Sequence, residues 1–249
     1  QVGRLSMSAA AVEAVATKFT TALRTVSSEA QRAGAERYFK GVVPFLGCAA
    51  PAVNKAFRSV FDEHLGKQPK EFVRDVGFSM LERAHFEEKS VGILCLQRAS
   101  RVMVSRDVDR LADMVPAHIF DWGTADSLSG KVLHALIVRD PDTFATQVAG
   151  WCHRSSLWHK RISAVSFVKL GKTGRFTDLI LDTCRVSVQC PERFTQLGVG
   201  WALREVSLAD LDRVLDFLRD NECYISREGL RYAIEKMDSD LRAELLGRR

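Results

Sequence analysis

Apolar residues recur at every third or fourth position along almost the whole chain. The segment AAVEAVATKFTTALRTV, for example, places Val15, Phe19 and Leu23 four residues apart, on one face of an α-helix. The same period is found in later segments, among them EFVRDVGFSML, VGILCLQRASRVM, SLSGKVLHALIV, KRISAVSFVKL, FTDLILDTCRVSV and LADLDRVLDFLR. No segment combines strict apolar–polar alternation with a hairpin turn, which is the pattern of β-strands. The sequence therefore predicts an all-α protein.

Short polar or Gly/Pro-containing breaks separate the predicted helices. In the second half of the chain, helices are expected to start near Pro141, Ser155, Arg175, Pro191, Leu208 and Ser226. Pairs of helices recur there roughly every 30 to 50 residues, the period of HEAT-like helical repeats. We therefore predict HEAT-like repeats stacked into a curved α-solenoid with a concave face. A compact helical bundle is the alternative.

The composition is that of an ordinary globular protein, with 46% hydrophobic and 27% charged residues. Its six cysteines are scattered, without a C-x-x-C pair, which predicts reduced thiols in an intracellular compartment, either the cytoplasm with its nucleoid or the nucleus. The segment HFEE (85–88) lacks a second ligand cluster, so no metal site is expected. No apolar run has the length of a membrane span, and no membrane contact is expected.

The segment MSAAAVEAVATKF, which begins at Met7, has the form of a natural start. Residues 1–7 are therefore expected to be a tag remnant or a flexible N-terminal extension. Residues 8–249 are expected to form a single domain, because the helical pattern continues through them without a linker.

Positive charge is concentrated in one part of the chain. The net charge is only +5, but residues 151–177 contain six Lys/Arg and no Asp or Glu. Residues 201–249 contain nine Lys/Arg and eleven Asp/Glu, so the C-terminal part is nearly balanced. The acid-free segment indicates a local contact with a polyanion. Chance clustering on a solvated surface is the alternative, and composition does not decide between them.

The segment DWGTAD (121–126) is the first candidate for chemistry. Trp122 and Asp126 are four residues apart, so in a helix their Cβ atoms lie about 5–6 Å apart on one face. The structural alternative is that Trp122 packs inward and Asp126 caps a helix.

Three further blocks combine aromatic and basic residues: ERYFKGVVPFLGCAAPAVNKAFR (36–58), SSLWHKRISAVSF (155–167) and GVGWALREVS (198–207). Each also has a structural interpretation. Trp201 can be a core residue, and Arg204 can be a surface charge with Glu205 as its salt-bridge partner.

Together and in this order, the four blocks resemble the AlkD-type DNA alkylation-repair family, HEAT-like-repeat glycosylases that remove alkylated purines from DNA. The resemblance extends from about Glu36 to about Lys236 and is strongest in YFKGVVPFLG, LWHKRISAV and GWALREVS. The family has a catalytic Trp followed four residues later by an essential Asp, which fall on Trp122 and Asp126. Its active-site Arg falls on Arg161 of WHKR, and its second active-site Trp falls on Trp201.

The resemblance has two departures. Family members often carry a further Trp and Asp around the catalytic Trp, where this chain has Asp121 and Gly123. The position four before Trp201 is often basic in the family and is Leu197 here. We expect the first departure to loosen the catalytic loop and the second to weaken DNA affinity.

The implied chemistry needs few residues, because a purine alkylated at N3 or N7 is cationic and leaves readily. Bond cleavage builds positive charge on the deoxyribose, and the carboxylate of Asp126 is expected to stabilise that charge and to orient water. The resemblance implies that the indoles of Trp122 and Trp201 face the sugar and that Arg161 contacts a backbone phosphate. Further DNA contacts are expected from Tyr38, Arg154, Lys160, Lys169, Lys172, Arg175 and Arg204.

The resemblance thus implies a monomeric, monofunctional glycosylase without a cofactor. Its substrate is double-stranded DNA containing cationic purines such as 3-methyladenine or 7-methylguanine, bound without a deep pocket for a flipped base. The alternative is a non-catalytic HEAT-like-repeat module that binds DNA structures or a protein partner.

Overall fold

The computed structural model describes residues 8–247. The expected tag remnant or extension at residues 1–7 lies outside the described residues. Within them every regular element is helical, so the predicted all-α fold is confirmed. The α-helices are α1 (Ala9–Thr25), α2 (Glu29–Tyr38), α3 (Ala50–His64), α4 (Lys70–Leu81), α5 (Phe86–Ala99), α6 (Ser105–His118), α7 (Trp122–Leu128), α8 (His134–Arg139), α9 (Pro141–Ala149), α10 (Leu157–Val165), α11 (Val168–Gly171), α12 (Thr177–Ser187), α13 (Arg193–Val206), α14 (Leu211–Asp220), α15 (Arg227–Ala233) and α16 (Ser239–Gly247).

Shorter turns complete the helical chain. Two 3₁₀ turns span Ser100–Val102 and Gly150–His153, and a π-helical turn spans Ser129–Leu133. No helix in residues 8–247 is long and apolar enough to cross a membrane. All six cysteines are free thiols.

Helix starts follow the capping rules that the sequence displays. The side chains of Ser156 and Ser226 accept hydrogen bonds from backbone N–H groups in the first turns of α10 and α15. Asp140 does the same for α9, which has Pro141 in its first turn, where a missing N–H is harmless. The predicted starts near Ser155, Ser226 and Pro141 therefore lie within two residues of the observed ones.

The described chain divides into two compact units. Unit 1 contains the residues up to Asp107 together with Ala117–Ser127, and unit 2 contains Val108–Pro116 and the residues from Leu128 onwards. In unit 1, α4 packs against α5 along its length, and α1 packs on α3 and α4. Its core is rich in Phe and Val, with Phe19 stacked on Phe57 at 5.8 Å between ring centroids.

In unit 2, α13 packs against both α10 and α15. The buried amide of Gln196 ties this packing together, since its nitrogen donates to the carbonyl oxygens of Val188 (2.7 Å) and Cys190 (2.8 Å). Its oxygen accepts the backbone N–H of Ser226 at 2.8 Å. One side chain therefore satisfies the backbone at the end of α12 and at the start of α15, where water is excluded.

Candidate active site and nucleic-acid contacts

Helix α7, which carries Trp122 and Asp126, is held at its first turn by a buried cap. The carboxylate of Asp121 accepts the backbone N–H of Thr124 at 2.8 Å and its hydroxyl at 2.7 Å. Asp121 is only 1% exposed. The N-cap is therefore Asp121 and not Asp126, which corrects the structural alternative considered for DWGTAD and leaves the Asp126 carboxylate outside the capping interaction.

The indole of Trp122 is braced by aromatic rings of unit 1. It stacks on Phe39 with ring centroids 5.3 Å apart and planes 10° apart. Tyr38 approaches its ring edge-on at 6.1 Å, and Phe39 in turn contacts Phe45 and Phe86. These contacts fix the orientation of Trp122, which stays partly exposed.

Gly123 lies where α7 comes closest to this aromatic cluster. A Cβ at this position would be 3.0 Å from Phe86, 3.2 Å from the Asp121 carboxylate and 3.3 Å from Phe39. The glycine therefore permits close packing of a capped helix. The expectation that Asp121 and Gly123 loosen a catalytic loop is wrong, because residues 122–128 are helical and Asp121 anchors them.

A second carboxylate, that of Glu87 in α5, holds the backbone that follows Phe45 in this group of aromatic rings. It accepts the backbone N–H groups of Leu46, Gly47 and Cys48 at 2.8–2.9 Å. The neighbouring Glu88 bonds the ring of His85, 2.8 Å away, in the capping box of α5. The acidic HFEE segment thus holds backbone and helix ends in place. No group of three or more potential metal ligands occurs among residues 8–247.

A buried lysine lies in the same unit as Asp121. Burial raises the pKa of Asp121, while the hydrogen bonds from Thr124 and Gly123 and the charge of Lys89 oppose this rise. Burial likewise lowers the pKa of Lys89, and the charges of Asp121 and Glu88 act against it. The Lys89 ammonium donates to the carbonyl oxygens of Leu81 and Arg83, so it satisfies the end of α4. The cap of α7 therefore carries a buried charge with an opposite charge near it.

Asp126 is partly buried and lies one helical turn after Trp122 in α7. At this spacing the carboxylate and the indole share one face of the helix. The helical spacing in unit 1 therefore agrees with the sequence pattern, and the catalytic roles of the two residues stay predictions.

In unit 2, Arg161 is buried, with 5% of its surface exposed. Its guanidinium donates to the carbonyl oxygen of Phe194 at 2.6 Å, and the Phe194 ring stacks on Trp158 at 5.4 Å. This arrangement makes Arg161 a brace between α10 and the start of α13. A guanidinium has five N–H donors, so the predicted phosphate contact would use donors other than the one that bonds Phe194.

Trp201 is partly exposed on α13, and its ring contacts that of Tyr232, with centroids 6.4 Å apart. The Arg204 guanidinium lies 4.7 Å from the centre of the same Tyr232 ring. It also bonds the Glu205 carboxylate at 3.0 Å and pairs with Glu235. Arg204 is thus paired within the protein, as the salt-bridge alternative predicted, and its DNA contact stays a prediction.

The other predicted DNA contacts differ in how available they are. Tyr38 is 69% exposed, and Lys172 and Arg175 are exposed on the turn before α12. Arg154 pairs with Asp113 at 2.8 Å, where both side chains remain accessible.

Two further lysines are engaged with carbonyl oxygens. Lys160 donates to Cys152 (2.7 Å), and Lys169, which is exposed, donates to Gly130 (3.0 Å). An ammonium has three N–H donors, so one bond to a carbonyl oxygen leaves either lysine able to bind a phosphate as well.

Comparison with known proteins assigns the family. The family model described as "DNA alkylation repair enzyme" matches residues 19–237. This chain belongs to the DNA alkylation repair enzyme family. A solved structure described as a predicted DNA alkylation repair enzyme from Enterococcus faecalis is similar to it, with a TM-score of 0.75 at 18% identity. The match covers 86% of this chain and 97% of that chain, and it confirms the helical-repeat fold. No functionally curated protein matches the chain.

Four structural residues of this family member were not identified from its sequence: Asp121, Phe39, Glu87 and Tyr232. The capping role of Asp121 could have been predicted from the sequence, because Asp is a preferred N-cap residue just before a helix. No local sequence pattern predicts the contacts of Glu87 and Tyr232, because their partners lie about 40 and 30 residues away in the chain.

Proposed function

We propose that this protein is a monofunctional DNA glycosylase that hydrolyses the N-glycosidic bond of cationic alkylated purines in double-stranded DNA. Family membership supports a role in DNA alkylation repair. The observation that carries the finer proposal is the arrangement of α7, in which a capped helix presents the stacked Trp122 indole and the Asp126 carboxylate on one face.

This arrangement suits a reaction in which the leaving group is already activated. An alkylated purine departs as a neutral base, so the enzyme needs no strong general acid. The sugar becomes cationic as the bond breaks. A carboxylate stabilises that charge and orients the attacking water, while an indole face stabilises a cation by about 0.5–2 kcal/mol. Asp126 takes the first role and Trp122 the second.

The residues of unit 2 have supporting roles in the proposal. Trp201, held by Tyr232, offers a second indole to bound DNA. Lys160, Lys169, Lys172 and Arg175 contribute positive charge toward phosphates, which positions a duplex without reading its sequence. Arg161 bonds the Phe194 carbonyl in the free protein, beside the stacked rings of Phe194 and Trp158, and in the proposal it also contacts a backbone phosphate.

Product analysis tests the reaction class. Genomic DNA treated with a methylating agent is incubated with the protein, and released bases are separated chromatographically. The proposal predicts release of 3-methyladenine and 7-methylguanine, and no release of neutral damaged bases such as uracil or 8-oxoguanine. Tight binding to the same DNA without any base release would instead favour the non-catalytic binding module.

A further inference from the structure

A buried lysine lies in the same unit as the helix that carries the proposed catalytic pair. Lys89 of α5 is only 1% exposed, and its ammonium donates to the carbonyl oxygens of Leu81, at 3.2 Å, and of Arg83. Carbonyl oxygens solvate an ammonium without neutralising it, so a buried lysine is costly unless carboxylates lie near it. A neutral donor would satisfy the same two carbonyl oxygens without this cost. The end of α4 therefore does not explain why a charge is buried here.

The register of α5 places Lys89 toward α7. Phe86 begins α5 three residues before Lys89, and its ring is 3.0 Å from the position that a Cβ of Gly123 would occupy. Residues three apart share one face of a helix, so Lys89 lies on the face of α5 that is turned toward the first turn of α7. Asp121, which caps that turn, is as deeply buried as Lys89, with 1% of its surface exposed.

The charges of Lys89 and Asp121 act on each other. Burial lowers the pKa of Lys89, and of the two carboxylates that oppose this change Asp121 has the larger effect and Glu88 the smaller. Glu88 also accepts the Thr20 hydroxyl at 2.6 Å and bonds the His85 ring. Burial raises the pKa of Asp121, and the charge of Lys89 opposes this rise together with hydrogen-bond donors of α7. Lys89 therefore favours the ionised form of the cap.

We propose that Lys89 is a positioning residue for excision, whose buried ammonium keeps the carboxylate of Asp121 ionised and thereby holds α7 in its working orientation. The inference rests on the proposed function and adds to it a reason why the site depends on pH. The ionised carboxylate accepts the backbone N–H of Thr124 with one oxygen and its hydroxyl with the other. A proton on the carboxylate turns one acceptor into a donor, so the first turn of α7 loosens and Asp126 loses its direction.

The charges determine the sign of the pH dependence. Without the ammonium of Lys89, burial raises the pKa of Asp121 further, so the carboxyl group takes up its proton at a higher pH. The acid limb of the pH–rate profile then moves toward neutral pH. Lys89→Gln removes the charge and keeps N–H donors for the carbonyl oxygens at the end of α4. Thr124→Val removes the hydroxyl that donates to Asp121, deletes no charge, and is expected to move the limb in the same direction.

Other titratable groups surround Lys89, so the assignment to Asp121 needs its own control. Glu88 acts on Lys89. At the end of α6, burial and the charge of Lys89 lower the pKa of His118, and Glu82 raises it. Asp121→Asn removes the ionisation of the cap alone. In that background Lys89→Gln should leave the acid limb in place, and a limb that still moves would overturn the proposal because another group would carry the effect.

The pH dependence of excision is the first test. Single-turnover release of 7-methylguanine from a duplex is followed between about pH 5 and pH 8, with each rate taken relative to the variant's own maximum. At the pH where wild type has half its maximal rate, Lys89→Gln is expected to be at least about threefold slower. Lys236→Met, which removes a lysine that pairs with Glu205 in unit 2, is the control and should follow the wild-type profile. An unshifted acid limb in active Lys89→Gln, or in Thr124→Val, would overturn the positioning role.

An NMR titration of the free protein tests the same role without catalysis. The carboxyl carbon of Asp121 reports its ionisation, and the indole N–H of Trp122, whose ring stacks on Phe39, reports the position of α7. Both signals are expected to change together, and at a higher pH in Lys89→Gln than in wild type. Equal titration in the two proteins would overturn the proposal. Coupled titration in a protein that excises no base would support the positioning of α7 by Lys89 and refute the proposed function.

Discussion

Asp121 caps the helix that carries the proposed catalytic pair by accepting both the backbone N–H and the hydroxyl of Thr124. Two hydrogen bonds from one residue fix the first turn of α7 and thereby the direction of Asp126. In this way a residue that does not take part in the proposed chemistry determines where the chemistry is placed.

Removing this cap is expected to reduce stability and activity together. Asp121→Ala loses both acceptors and removes one of the two carboxylates that act on Lys89, leaving Glu88, so we expect the free energy of unfolding to fall by about 2 kcal/mol. Urea denaturation measures the loss. Asp140→Ala, which removes the cap of α9 in unit 2, is the matched control. It should cost similar stability while excision by the folded protein is unchanged, and equal loss of excision in both variants would contradict the positioning role of Asp121.

Gly47 and Gly34 are expected to respond in opposite directions to substitution by alanine. A Cβ on Gly47, whose φ is 93°, would lie 2.3 Å from the Ser28 carbonyl oxygen, so Gly47→Ala should destabilise by more than about 2 kcal/mol. Gly34 lies within α2, where a Cβ meets no atom within 4 Å, so Gly34→Ala should stabilise by about 0.5–1 kcal/mol. Thermal unfolding of the two variants checks both signs, and a stable Gly47→Ala would refute the close packing of Gly47 against Ser28 and Arg32 at the start of α2.

The ion-pair network of unit 2 predicts a loss of stability in acid. Burial acts to raise the pKa of Glu205, but hydrogen bonds and charges from Lys236 and Arg204 outweigh it and hold this pKa below its ordinary value. The stabilisation is therefore complete above the unfolded-state pKa of about 4.3 and disappears as the pH falls through the lower folded-state pKa. Wild type should be more stable than Glu205→Gln at neutral pH, and the difference should shrink below about pH 4. A difference that is independent of pH would exclude the network as its source.

Tyr232 is expected to act on activity through Trp201. Tyr232→Ala removes the ring that supports both Trp201 and Arg204, and we expect kcat to fall about tenfold, because a displaced contact group lowers the rate of the chemical step. Tyr232→Phe keeps the ring and should retain nearly the wild-type kcat. Single-turnover rates separate kcat from DNA affinity. If both variants lost activity equally, the hydroxyl and not the ring would be responsible.

The sequence predicted the helices well because helix starts depend on neighbouring residues. Pro141 and Ser226 mark the starts of α9 and α15 within one residue. The environments of the charged residues were harder to predict, because they depend on partners distant in the chain. Arg204 looked available for DNA, yet it pairs with Glu235, 31 residues away. Arg161 similarly bonds a carbonyl oxygen 33 residues away.

The central claim is that the Asp126 carboxylate stabilises the reacting sugar, and single-turnover excision tests it most directly. The substrate is a duplex with one 7-methylguanine, and the enzymes are wild type, Asp126→Asn and the control Asp182→Asn, which changes an exposed carboxylate on α12. With equal melting temperatures, we predict that Asp126→Asn is slower by at least about a hundredfold, whereas Asp182→Asn keeps the wild-type rate. An Asp126→Asn variant that excises 7-methylguanine at the wild-type rate would contradict the claim.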